Sequence, residues 1–224
     1  MQSILLTGFQ PFGGEEVNPS AEIALALDGE EIDRHAKVKA LVLPVDWQEA
    51  PGHLLRAIAE ASGPRPDGNC CCRPRRLAAV VMLGQAGGYP ALGLERVAIN
   101  VANGKDVAGV ERVEEPIAAG GPPAYFSTLP LQAIVRRVEG NGLPAFISGS
   151  AGTYLCNYIF YTLMHHLATG WPDPDDRPLA GFIHLPYLPS QAVGKKPVPP
   201  SMSRTDMELA VWTALSVTLE QAPA

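Results

Sequence analysis

Long apolar runs, paired cysteines and an excess of positive charge are all missing from these 224 residues. No stretch approaches the ~18–20 apolar residues of a membrane span. The opening, MQSILLTGFQPFGG, lacks a basic n-region, and its apolar run is too short for a signal peptide. Of the four cysteines, Cys70, Cys71 and Cys72 are consecutive. A disulfide framework is therefore not expected, and a reducing cytoplasm is. Lys and Arg number 17 against 23 Asp and Glu, a net charge of -6, which argues against nucleic acid as the main partner. No Gly-Lys-Ser/Thr phosphate loop occurs, and no G-x-G-x-x-G follows a strand. Three adjacent cysteines with no second cluster are poor chelators, so no metal or other cofactor is expected.

What is present is enough for a core. Apolar residues make up 46% and charged residues 18%, which excludes wholesale disorder. The length suits one domain over 1–224. Gly and Pro number 22 each, implying many turns set by special backbone geometry. Ser3 to Gly8, Val38 to Val45, Leu77 to Leu83, Arg96 to Val101, Ala145 to Ser148 and Ala180 to Leu185 read as strands. Helices are expected after Asn18-Pro19, over Trp47 to Ala61, around Leu131 to Val138, over Tyr154 to Ala168 and over Ser203 to Gln221. Thr153 is the expected cap of the fourth, and Ser203 with Asp206 is spaced like a capping box. Residues 103–128 read mostly as loop, and 62–76 as a basic, Cys-rich loop insertion.

Strands alternate with helices, and most strands are apolar on both faces. The expectation is a three-layer α/β/α fold with a mostly parallel, twisted sheet covered by helices on both sides. Sites in such sheets form beyond the carboxyl ends of strands. The glycine turns at Gly8–Gly14, Gly84–Gly88 and Gly149–Gly152 follow strands and belong there.

Three residues carry chemistry. Cys156 falls in the first turn of a helix, where unpaired amides and the helix dipole stabilise a thiolate and can hold an oxyanion. It also shares a stripe with Phe160, Leu163 and Leu167, and taken alone it reads as a buried structural cysteine. His184 stands near a strand's carboxyl end, suited to take a thiol proton and to protonate a leaving amine, or else to sit satisfied in the core. Glu95 alternates with Val97 and Ile99, and a carboxylate on an apolar face needs a partner. Orienting a histidine would supply one, and a solvated strand end would remove the need.

The pieces LLTGFQPFGG with NPS, GQAGG, ERVAIN, GGPPAYFSTLP, SAGTYLCN and GFIHLPYLPSQ stand in an order that resembles the pyroglutamyl-peptidase I (pyrrolidone-carboxylate peptidase) family of cysteine exopeptidases. They extend from Leu5 to about Gln191. The resemblance implies a Cys–His–Glu triad of Cys156, His184 and Glu95, removal of N-terminal pyroglutamate from peptides, and a homodimer or homotetramer. It also implies a lactam slot made by Phe9 and Phe12, with Gln85, Tyr154 and Leu155 at pocket positions. Asn18 either joins them or only caps its helix.

The sequence departs from the family in two places. Tyr89 follows GQAGG where the family usually has Arg, and Asn103 to Val110 replaces a segment resembling ARIPDNEG. Those departures point to an alternative, a thiol amidohydrolase of altered specificity. A non-catalytic module binding a small lactam or peptide is a second alternative. A nucleoside phosphorylase-like enzyme is a third, by fold analogy only.

Overall fold

The computed structural model describes residues 1–63 and 77–222. Most of the expected insertion at 62–76, with Cys70, Cys71 and Cys72, lies outside them. In chain order the elements are β1 (Gln2–Phe9), α1 (Pro19–Ala26), β2 (Glu31–Ile32), β3 (Ala36–Leu43), α2 (Glu49–Ser62) and β4 (Leu77–Gln85). Then come β5 (Leu92–Glu95), β6 (Val97–Ile99), β7 (Ala102–Lys105), β8 (Glu111–Glu115) and β9 (Ala124–Phe126). The last group is α3 (Leu131–Gly140), β10 (Ala145–Ser148), α4 (Leu155–Thr169), β11 (Leu179–Leu185), α5 (Pro189–Ala192) and α6 (Arg204–Glu220).

Seven strands form one sheet in the order β10-β5-β11-β4-β1-β3-β2. The neighbours β3, β1, β4 and β11 are mutually parallel, as the apolar runs of β4 and β11 suggested. The direction reverses at β11·β5, which is antiparallel, so β5 and β10 run against β11, β4, β1 and β3, as the short edge strand β2 also does. The sheet is thus mixed and mostly parallel. On one face α1, α3 and α6 bury Ile23, Ile134, Val138, Met207, Val211 and Leu215. On the other, α2 and α4 bury Leu54, Ile58, Ile159, Phe160 and Leu163. Each face is apolar because each is covered, and removing that area from water is the main stabilising term.

Local chemistry sets the element ends. Asn18 caps α1 by accepting the Ser20 amide at 3.0 Å, with Pro19 at the first helical position. Ser203 accepts the Asp206 amide at 3.1 Å at the start of α6. The helix start at 154 differs from expectation. Tyr154, not Thr153, is the N-cap residue of α4, and it makes no side-chain cap bond. The expected strand over Arg96 to Val101 is shorter and lies outside the main sheet: Glu95 already ends β5, and β6 pairs with β9 in a separate ribbon. The stretch expected as loop contains β7, β8 and β9, whose sequences ANGK, ERVEE and AYF carry no apolar alternation. Asp106 closes the β7–β8 turn by accepting the Val110 amide at 2.8 Å and the Trp47 amide at 3.1 Å.

Candidate active site

β11 lies between β4 and β5, and its register sets the site. His184 pairs with Gly84 on β4 and with Gly93 on β5. Directly paired residues point to one face, so His184 is flanked on both sides by positions without side chains. A Cβ at Gly84 would stand 2.7 Å from the Phe182 ring and 3.1 Å from Cys156 Sγ. A Cβ at Gly93 would stand 2.4 Å from the Tyr89 ring. The two glycines therefore make room for a thiol on one side of the imidazole and a phenol on the other.

Glu95 is two residues beyond Gly93 on the same face, diagonal to His184 and opposite Phe182. It is fully buried, and its Oε1 lies 2.7 Å from His184 Nδ1. An ionised carboxylate only accepts, so Nδ1 carries the proton and Nε2 is the ring nitrogen left for Cys156. Burial alone drives the imidazole toward its neutral form. Hydrogen bonding to Cys156 and Glu95, with their charge, outweighs burial and raises its pKa from 6.5 to about 9. A charged imidazole is thereby favoured in the interior, between two groups able to carry the opposite sign.

Cys156 is half-buried in the first turn of α4. With no side chain capping that turn, the first amides of the helix are left for other partners. Asn157, fully buried, fixes the turn in place. Its Oδ1 accepts the Ile99 amide at 2.9 Å, and its Nδ2 donates to the Ile99 and Val101 carbonyls at 2.9 Å each. The chain enters this helix through Gly152, whose φ of +77 suits glycine.

The expected pocket residues are placed as follows. Phe9 is buried beside Phe182, their ring centroids 6.5 Å apart, and Phe12 is half-buried against the same cluster. Gln85 ends β4, and its Oε1 accepts from Gln191 Nε2 at 2.8 Å, leaving its own amide nitrogen free to donate elsewhere. Gln191 also reaches Glu15 and the Val17 carbonyl, and Lys195 pairs with Glu15 at 2.6 Å. These bonds tie the loop bearing Phe12 to the segment after β11. Leu155 is buried, whereas Tyr154 turns away to donate to the Lys105 carbonyl at 2.9 Å. Asn18 spends its Oδ1 on Ser20 and donates from Nδ2 to the Gln10 carbonyl at 3.1 Å, so it anchors both the helix and the loop.

Sequence reasoning passed over Asn157, Gln191 and Ser148, and met Tyr89 only as a departure from the family, not as a neighbour of Glu95. Asn157 had a legible signal, a polar residue on the stripe of Phe160, Tyr161 and Met164. The other three act through sheet register and loop closure, which leave no local pattern. Among the described residues no cluster of His, Cys, Asp or Glu could hold a metal ion, and no helix is long and apolar enough to cross a membrane.

Comparison with known proteins converges on one group. A family model described as pyroglutamyl peptidase matches residues 2–221. The pyrrolidone-carboxylate peptidase of Chromobacterium violaceum is 43% identical over 221 residues, covering 98% of this chain and 93% of that one. Its counterpart in Pyrococcus furiosus is 42% identical over 225 residues, covering 97% and 98%. The crystal structure of Bacillus amyloliquefaciens pyroglutamyl peptidase I superposes with a TM-score of 0.87 at 33% identity, covering 99% of this chain and 98% of that one.

Proposed function

The chain belongs to the pyroglutamyl peptidase family, and from that premise we propose that it hydrolyses the amide bond after an N-terminal pyroglutamyl residue, with Cys156 as nucleophile. The observation that carries the reading is the buried His184–Glu95 pair, 2.7 Å apart, beside a thiol at a helix start. His184 Nε2 takes the thiol proton. The thiolate sulfur attacks the pyroglutamyl carbonyl carbon, and amides of the first turn of α4 receive the oxyanion. The imidazolium gives its proton to the leaving amine as the C–N bond breaks, leaving a thioester. Water, losing a proton to His184, attacks the thioester; pyroglutamate leaves, and the proton returns to sulfur. Glu95 holds the ring in the required tautomer and balances its charge.

The lactam is small, flat and uncharged, and an apolar slot with a few polar contacts suits it. Phe9, Phe12 and Leu155 supply apolar surface, and Gln85 supplies a donor whose orientation Gln191 fixes. Tyr154 and Asn18 support the walls. The working unit is a single catalytic domain over 1–224, assembled as a homodimer or homotetramer in the cytoplasm, where the thiol stays reduced. Hydrolysis of a pyroglutamyl chromogenic amide tests the reading, with Cys156→Ala as control. Turnover in wild type and none in the variant is expected, and activity persisting in Cys156→Ala would refute the mechanism.

A further inference from the structure

We propose that Tyr89 is a positioning residue for the Glu95 carboxylate, acting through its phenol hydroxyl, and that Ser148 and Ser150 in turn orient Tyr89. The proposal rests on the functional reading above. It comes from a chain of hydrogen-bond contacts that ends on the carboxylate. The Ser150 amide donates to Ser148 Oγ at 3.3 Å, Ser148 Oγ and the Tyr89 hydroxyl are 3.2 Å apart, and Tyr89 donates to Glu95 Oε1 at 3.3 Å. Each hydroxyl has one proton to give. A carboxylate only accepts, so the Tyr89 proton goes to Glu95, and Ser148 Oγ, which also has the Ser150 carbonyl at 3.2 Å, holds the phenol from its other side.

The same Oε1 receives His184 Nδ1, while Oε2 has no partner among the described residues. One oxygen of a buried carboxylate therefore carries both contacts, and without Tyr89 the imidazole alone would fix its rotation. Burial raises the Tyr89 pKa above its ordinary 10.0, Ser148 opposes that rise and the Glu95 charge adds to it, so the phenol remains a donor. The ring is held independently of the hydroxyl. It stands edge to face with Phe146 at 5.0 Å and with His184 at 5.7 Å, over Gly93 where no Cβ fits. Packing and hydrogen bonding can thus be separated by one substitution.

Tyr89→Phe keeps the ring and removes the donor. We expect kcat on a pyroglutamyl amide to fall about 3- to 10-fold, with KM within about twofold of wild type. In the free protein, the downfield proton resonance of His184 Nδ1 should move further downfield, because Oε1 loses a competing donor. That resonance needs no substrate, so it tests the positioning even if wild type releases no pyroglutamate, an outcome that would sink the functional reading alone. A purely structural role predicts an unmoved resonance and unchanged kcat in a folded Tyr89→Phe protein, and either result overturns the proposal, as does a rise confined to KM. If Tyr89→Phe does not fold, Ser148→Ala serves instead, with the same direction and a smaller effect expected; no change in either readout would refute it.

Discussion

Glu95→Gln offers the sharpest test of the buried pair. The substitution keeps the size of the side chain and removes its charge. In the wild type the His184 pKa reaches about 9 because Cys156 and Glu95 together outweigh burial. Without the carboxylate, Cys156 alone opposes burial, and the value falls from about 9. The sign follows: below its folded-state value the imidazole is protonated and can pair with a thiolate, and above it the pair is lost. The alkaline limb of kcat/KM should therefore lie near 9 in wild type and move to lower pH in Glu95→Gln. Each tenfold weakening of the imidazolium corresponds to about 1.4 kcal/mol, and kcat/KM near pH 8 should fall roughly tenfold in Glu95→Gln. The assay is a pH–rate profile on a pyroglutamyl chromogenic amide, with alkylation of Cys156 by iodoacetamide as a measure independent of substrate. An alkaline limb at the same pH in both proteins, with kcat/KM within about threefold, would show that Glu95 does not govern the ring.

Gly84→Ala should lower the melting temperature and slow turnover, since the new methyl meets the Phe182 ring at 2.7 Å and Cys156 Sγ at 3.1 Å. The cost is about 1–3 kcal/mol by thermal denaturation, and an unchanged melting temperature with full activity would contradict the packing. Asn157→Ala removes three hydrogen bonds of 2.9 Å to the Ile99 and Val101 backbone. Urea unfolding should show a loss of roughly 2–4 kcal/mol from the unpaired groups, and a loss below about 1 kcal/mol would mean that α4 is anchored otherwise.

The layered fold was legible because buried strands such as Leu77–Gln85 are continuous apolar runs between amphipathic helices. Strand direction was not. An apolar run buried on both faces reads the same in either sense, so nothing in Leu-Gly-Leu-Glu announces that β5 opposes β11. The break at Arg96 was hidden for a similar reason, since alternation continues across it from Glu95 to Val97 and Ile99. β7, β8 and β9 were missed because their residues face water or an aromatic cluster rather than a sheet core. At the site, Cys156, His184 and Glu95 stood out by side-chain chemistry and local position. Gly93 did not, and Tyr89 stood out only as a departure from the family, because their relation to His184 exists only through the register of three strands.

The place of β11 also governs how the molecule can be assembled. It is the last strand to be synthesised, yet it sits in the interior of the sheet, joining β4 to β5. Without it, the sheet order falls into two groups, β4-β1-β3-β2 and β10-β5, that share no strand pairing. Chains emerge from the ribosome amino terminus first, so a nascent chain short of residue 179 already carries Cys156 and Glu95 but lacks the histidine between them. On the proposed mechanism, the thiol therefore gains its proton acceptor only when β11 joins the sheet.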